Sequence, residues 1–173
     1  MRSCKIFIPL ILVCLYCLGT EAQRGSKPHQ QLHFSAEDEN VQRPADIPQD
    51  AWKILQKDSD VQNVLENENL TAEQLPRSWF LASTVHLDGP QENDLLVIAN
   101  DKLAGGNVVT FWLFMQTPKG MKLVLNAPAH DLFIKSSRSH GHRDIIMGGM
   151  TAVILRYDGN QYRVSSSSDQ RIQ

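Results

Sequence analysis

The chain has 173 residues, of which 42% are hydrophobic and 21% are charged, and its formal net charge is −2. The length suits one ordinary domain, and the apolar content is too high for a wholly disordered chain. The near-neutral charge argues against nucleic acid as a partner, because no basic surplus exists to displace counterions. No apolar run reaches the roughly 18 residues that a membrane-spanning helix needs.

The beginning of the chain has the pattern of a secretory signal peptide. Basic Arg2 and Lys5 precede an apolar run over residues 6–18, and small Thr20 and Ala22 occupy the −3 and −1 positions of a cleavage site. We therefore predict a signal peptide over residues 1–22, cleaved after Ala22, and a secreted or periplasmic mature chain. An uncleaved membrane anchor is the alternative, but the apolar run is short for one.

All the cysteines of the chain lie in the predicted signal peptide, as Cys4, Cys14 and Cys17. The mature chain would then contain no thiol, which excludes disulfides, thiolate metal sites and cysteine nucleophiles. Such a fold depends on its hydrophobic core alone. A chain of this size can supply that core.

The mature chain divides into three predicted parts. Residues 23–45 are polar, contain Pro28 and Pro44 and lack hydrophobic periodicity, which predicts a flexible leader. Residues 46–164 form a single α+β domain. Residues 165–173 begin with a run of serines and are predicted to be a disordered tail.

The domain opens with helical signals. The motifs Ser59-x-x-Gln62 and Thr71-x-x-Gln74 have the form of capping boxes, in which the two side chains satisfy backbone N–H groups at a helix start. We predict two short helices and one helical turn, over residues 48–57, 60–67 and 72–75.

The rest of the domain has the pattern of β-strands. Runs of β-branched, aromatic and other apolar residues alternate with turn signals such as Asp158-Gly159-Asn160. The predicted strands cover residues 78–87, 94–99, 108–115, 121–126, 132–135, 144–147, 152–157 and 161–164. The expected class is α+β, with the short N-terminal helices packed on a mostly antiparallel sheet of seven or eight strands.

Several of these segments together resemble a family of small exported bacterial proteins of uncharacterised function. The shared pattern is WF…LDG…DL…FW.F…G.RDI…Y.G..Y, and it covers the core from Pro48 to Arg163. The matching segments are residues 78–83, 86–89, 93–95, 111–114, 141–145 and 157–162. The resemblance implies an exported protein of the bacterial envelope.

The Asp88-Gly89 and Asp94-Leu95 segments also resemble the calcium loop of FG-GAP repeats. His86 stands where that loop has an acidic ligand, and the spacing to Asp94 is longer. Asp88, Glu92 and Asp94 provide fewer oxygen ligands than the six to eight that calcium takes. The loop therefore departs from a calcium site.

The segment from Ser139 to Asp144 contains the strongest candidate for metal binding. His140 and His142 are two residues apart and Asp144 follows, so an extended strand would place the three on one side to bind a divalent metal. His86 or His130 would add a further ligand. The alternative is a polar loop in which Asp144 accepts backbone hydrogen bonds.

Aromatic residues on the predicted strands are the candidates for ligand binding. If one face of the sheet is open, Trp112 with Tyr157 or Tyr162 would form a stacking platform for a sugar or a peptide. If both faces are covered, the same residues belong to the core.

The sequence therefore predicts an exported, non-catalytic binding or interaction protein of the bacterial envelope, with no cofactor other than a possible divalent metal. Its partner would be an envelope protein or a glycan, contacted by a sheet face or by the loops near residues 100–107 and 136–143. The alternative is a divalent-metal-binding or metal-dependent hydrolytic protein that uses His140, His142 and Asp144.

Overall fold

The computed structural model of the chain describes residues 30–89 and 93–167. The predicted signal peptide with its cleavage site after Ala22, the candidate calcium ligand Glu92, and residues 168–173 of the predicted tail lie outside the described residues. Within the described part of the chain, no helix is long and apolar enough to cross a membrane.

Two short helices open the domain close to their predicted positions, α1 over Gln49–Leu55 and α2 over Ser59–Asn67. The carboxylate of Asp58, and not the predicted Ser59, caps α2 by accepting hydrogen bonds from the backbone N–H groups of Asp60 and Val61. An aspartate is as good a cap as a serine, and it lies one residue earlier. The predicted capping box of Thr71 and Gln74 is confirmed, at the start of a 3₁₀ turn.

The rest of the described chain is mostly β-structure. It contains nine strands: β1 (His33–Ser35), β2 (Phe80–Val85), β3 (Asp94–Ala99), β4 (Val109–Thr117), β5 (Gly120–Ala129), β6 (Asp131–Ser139), β7 (His142–Gly148), β8 (Val153–Tyr157) and β9 (Tyr162–Ser167). They form two antiparallel sheets, a five-stranded sheet in the order β1-β6-β7-β8-β9 and a four-stranded sheet in the order β2-β3-β4-β5. The prediction of a single sheet of seven or eight strands is wrong, and the class is mostly β with two helices.

The chain passes from one sheet to the other at His130, the single residue between β5 and β6. The His130 N–H donates to the carbonyl of Gly148, and the His130 carbonyl accepts from the N–H of Ala36. Both backbone groups of His130 are therefore bonded to the five-stranded sheet and its neighbouring segment. A run of predicted strands gives no sign of such a corner, because the strand pattern continues on both sides of it.

The segment expected to be a flexible leader contributes to the fold. Strand β1 pairs with β6, and its Phe34 is fully buried in the core. Further along, residues 43–45 run beside β2, where the N–H of Ala45 donates to the carbonyl of Ala82. At the other end of the domain, β9 extends to Ser167, past residue 165 where the predicted tail begins.

The four-stranded sheet is covered on both faces, which explains its run of apolar residues. All six residues of β3 are buried, and Phe111, Trp112 and Phe114 of β4 are each 0% exposed. The helices cover one face, where Trp52 packs edge-on against Phe80 with 5.5 Å between the ring centroids. Residues of both sheets belong to one continuous hydrophobic core.

Candidate functional site

The predicted metal ligands lie on the β6–β7 hairpin, but their side chains serve its turn. His140 and Gly141 both have positive φ angles, 50° and 84°, as in a type I′ turn. The Nδ1 atom of His140 lies 2.8 Å from the carbonyl oxygen of Tyr157, and Nδ1 of His142 lies 2.9 Å from the carbonyl oxygen of His140. Each imidazole is therefore positioned by a backbone carbonyl.

Asp144 is also occupied within the hairpin. It is buried, and the Ser139 hydroxyl donates to its Oδ1 atom over 2.7 Å. The nearest carboxylate to the Nε2 atom of His142 belongs instead to Asp88, at 3.7 Å. Among the described residues, no group of three or more His, Cys, Asp or Glu side chains has the geometry to hold a metal ion. The structure thus does not bring His140, His142 and Asp144 together as a ligand set.

Asp94, from the segment that resembles a calcium loop, has a structural role. Its side chain is buried and accepts hydrogen bonds from the N–H groups of Leu87, at 2.9 Å, and Gln116, at 3.1 Å. Burial raises the pKa of Asp94 above its usual value. The carboxylate joins the end of β4 to the loop between β2 and β3.

The three predicted stacking residues lie in the core. Trp112 is 0% exposed, and Tyr157 and Tyr162 are each 6% exposed. The indole N–H of Trp112 donates to the Oδ2 atom of Asp58 over 3.0 Å, and the hydroxyl of Tyr162 donates to the carbonyl of Arg143 over 2.7 Å. A stacking platform needs an open ring face, and all three of these side chains are buried. Trp112 lies in the sheet that is covered on both faces, and Tyr157 and Tyr162 of the five-stranded sheet belong to the same hydrophobic core.

A different set of side chains is open to solvent, on the face of the five-stranded sheet that points away from the core. His33, Phe133, Ile146 and Ile154 lie directly opposite one another across β1, β6, β7 and β8, and we call them the apolar row. Phe133, Ile146 and Ile154 are half-buried, and none of the three packs against the hydrophobic core. The rings of His33 and Phe133 are stacked with 4.2 Å between their centroids.

Basic residues lie beside the apolar row. Arg156 is two residues further along β8 than Ile154, and Lys135 is two residues further along β6 than Phe133, the spacing that places side chains on one face of a regular strand. Lys135 lies where the register between β6 and β7 shifts, between Ile134 and Arg138. Arg163 lies directly opposite Arg156. We call Lys135, Arg156 and Arg163 the basic row, and all three are exposed.

Only one member of the basic row has an acidic partner in the described part of the chain. The Nε atom of Arg163 lies 2.6 Å from Asp158, whose pKa is held at about 2 by hydrogen bonds from the backbone N–H groups of Gln161 and Asn160. Lys135 and Arg156 make no ion pair with a described residue. Two of the three cations in the basic row are therefore without an ion-pair partner among the described residues, while Asp131 at the other end of the apolar row is already bonded to His33 and His130.

A cluster of ionisable side chains marks the end of the apolar row at the sheet corner. Asp131 lies between two imidazoles, 2.8 Å from Nε2 of His33 and 2.8 Å from Nδ1 of His130, and Glu37 is 3.7 Å from the other ring nitrogen of His130. The hydrogen bond to Asp131 raises the pKa of His130. Burial raises the pKa of Asp131, but hydrogen bonds from His33 and His130 bring it below its usual value.

Asp131 fixes the orientation of the His130 imidazole. The Asp131 carboxylate accepts the Nδ1 proton of His130, which leaves Nε2 as the basic nitrogen of the neutral ring. His130 and Asp131 border an open cleft of about 400 Å³ that is also lined by Asn107, Val108, Gly149 and Met150. No described Ser, Thr or Cys side chain hydrogen-bonds to either ring nitrogen of His130.

The apolar row was not among the residues predicted from the sequence. A usable signal was present, because three strands contain consecutive apolar residues around Phe133, Ile146 and Ile154. Such runs indicate a strand with apolar side chains on both faces.

Comparison of the chain with protein-family models, with curated proteins and with solved structures found no match.

Proposed function

We propose that the protein is an exported, non-catalytic binding protein of the bacterial envelope, and that the outer face of its five-stranded sheet contacts the partner. The observation that carries this proposal is the apolar row. Three half-buried apolar side chains stand in register across β6, β7 and β8, and they do not belong to the hydrophobic core of the described residues. A contiguous apolar patch that stays partly exposed at the surface is typical of interaction sites.

Export is supported by the signal-peptide pattern of residues 1–22 and by the resemblance to small exported proteins. The side chains that suggested metal chemistry, His140, His142 and Asp144, are held by separate partners within their hairpin. We therefore favour binding over metal-dependent hydrolysis. The partner is a component of the envelope, and the sheet face is the contact surface.

Methyl NMR tests this proposal directly. The mature protein is labelled with ¹³C at its isoleucine δ1 methyl groups and mixed with a soluble envelope extract of the host. We expect the signals of Ile146 and Ile154 to broaden or shift, because a partner would cover these side chains. Ile134 and Ile145, which are buried beneath the same strands, serve as internal controls and should change little.

Two outcomes would contradict the proposal. One is a spectrum in which no isoleucine methyl responds to the extract. The other is a response confined to isoleucines outside the apolar row, such as Ile54 on α1. In the supporting case, an Ile154→Asn variant should abolish the response at Ile146, because it places an amide in the middle of the apolar contact.

A further inference from the structure

We propose that the partner is an acidic protein segment, with apolar side chains on the apolar row and carboxylates facing the basic row. This inference rests on the proposed function and specifies the chemistry of the partner. The two rows run side by side across the strands, about 7 Å apart where Lys135 and Arg156 are each two positions from an apolar residue. One amphipathic segment can therefore contact both.

The charge pattern on the sheet face favours an anion. Arg156 and Arg163 are directly opposite across β8 and β9, and like charges in that position destabilise a strand pair. Asp158 offsets the charge of Arg163, whereas Lys135 and Arg156 make no ion pair with a described residue. A carboxylate placed between Lys135 and Arg156 would lie opposite two uncompensated cations.

The apolar row favours a protein over a glycan. Sugars bind best to open faces of aromatic rings, but Phe133 has one ring face covered by the imidazole of His33, with an interplanar angle of 2°. The other members, Ile146 and Ile154, are branched aliphatic side chains, which pack well against Leu, Ile or Val of another protein. The chemistry of the surface thus matches an acidic segment with regularly spaced aliphatic residues.

The test uses capped nonapeptides of defined sequence and the ¹⁵N-labelled mature protein. One peptide repeats Leu-Glu-Ala, the second repeats Leu-Gln-Ala and the third repeats Leu-Lys-Ala. We expect the acidic peptide to shift the amide signals of Phe133, Ile146, Ile154 and Arg156 and to bind about fivefold more tightly than the neutral one, since several exposed ion pairs each add a small gain. The preference should shrink in high salt.

Variants separate the charge contribution from the apolar one. Arg156→Gln should remove most of the preference for the acidic peptide, measured as the ratio of its affinity to that of the neutral peptide. Lys119→Gln is the matched control, because Lys119 is an exposed cation in the turn between β4 and β5, away from the basic row, and it should change neither affinity. Ile154→Asn should weaken the binding of both the acidic and the neutral peptide.

The remaining outcomes would each contradict a stated part of the proposal. Equal affinity for the acidic and neutral peptides would overturn the inference and leave the proposed function standing, whereas no binding by any peptide would count against both. Polygalacturonate and phosphatidylglycerol vesicles are tested in parallel. Stronger shifts at the apolar row with either of them than with the acidic peptide would overturn the choice of a protein partner in favour of a glycan or a membrane surface.

Discussion

Asp58 connects α2 to the four-stranded sheet, and its replacement is a sharp test of how the core is held. One oxygen of its carboxylate accepts from the N–H groups of Asp60 at 3.0 Å and Val61 at 3.4 Å. The other accepts from the indole of Trp112 at 3.0 Å and from the amide of Asn126 at 2.7 Å. The variant Asp58→Ala removes all four hydrogen bonds together.

The expected loss is the sum of two contributions. Removing the helix cap costs about 1 kcal/mol. Leaving the indole N–H of the fully buried Trp112 without an acceptor costs about 1–3 kcal/mol more. The total of roughly 2–4 kcal/mol is a large share of the 5–15 kcal/mol by which ordinary domains are stable. It corresponds to a decrease in Tm of roughly 5–15 °C.

Urea unfolding followed by tryptophan fluorescence measures this loss. Asp60→Ala is the matched control, since Asp60 is an exposed acid in the first turn of the same helix, and it should cost under about 1 kcal/mol. The double variant Asp58→Ala with Trp112→Phe should lose less than the sum of the two single losses, because the unpaired N–H is gone. A loss for Asp58→Ala within about 0.5 kcal/mol of zero would refute the reasoning.

Two further predictions concern single positions. Gly120→Ala should destabilise the protein by about 1–3 kcal/mol in urea, because Gly120 has a φ of 109° and an added Cβ would collide with Oδ2 of Asp50, whereas Gly89→Ala, with open space around it, should be nearly neutral. A similar cost at both glycines would contradict this account. His130→Gln should lower the urea midpoint more at about pH 6 than at about pH 9. The hydrogen bond to Asp131 raises the pKa of His130 in the folded protein, so the stability that this bond contributes is present at low pH and is lost as the pH rises through the raised pKa. A pH-independent loss would show that the ion pair with Asp131 contributes nothing.

The helices and most strands could be predicted because their signals are local. The positions of α1 and α2 follow from apolar spacing, although the cap of α2 is Asp58 and not the predicted Ser59, and β3 follows from an unbroken apolar run. The division into two sheets could not be predicted, because it depends on which strands pair and on the corner at His130. Strand β1 is three residues long with Phe34 as its one buried side chain, so it has no detectable periodicity.

The candidate surface was harder to predict than the fold. The sequence left Trp112 with two alternatives, a core position or an open platform. In the structure its indole finds its hydrogen-bond acceptor in Asp58, which is 54 residues away in sequence. The apolar row exists only through cross-strand register, which joins Phe133, Ile146 and Ile154 from three different strands. Composition and spacing within one strand contain no information about that alignment.

Site-specific photocrosslinking in the living host tests the central claim most directly. A benzophenone amino acid is placed at Ile154, on the apolar row, or at Val164, an exposed apolar residue of β9 outside that row. If the outer face of the five-stranded sheet binds a partner, irradiation will give a discrete adduct from position 154 and little from position 164. Equal adducts from both positions, or none from position 154, would contradict the claim.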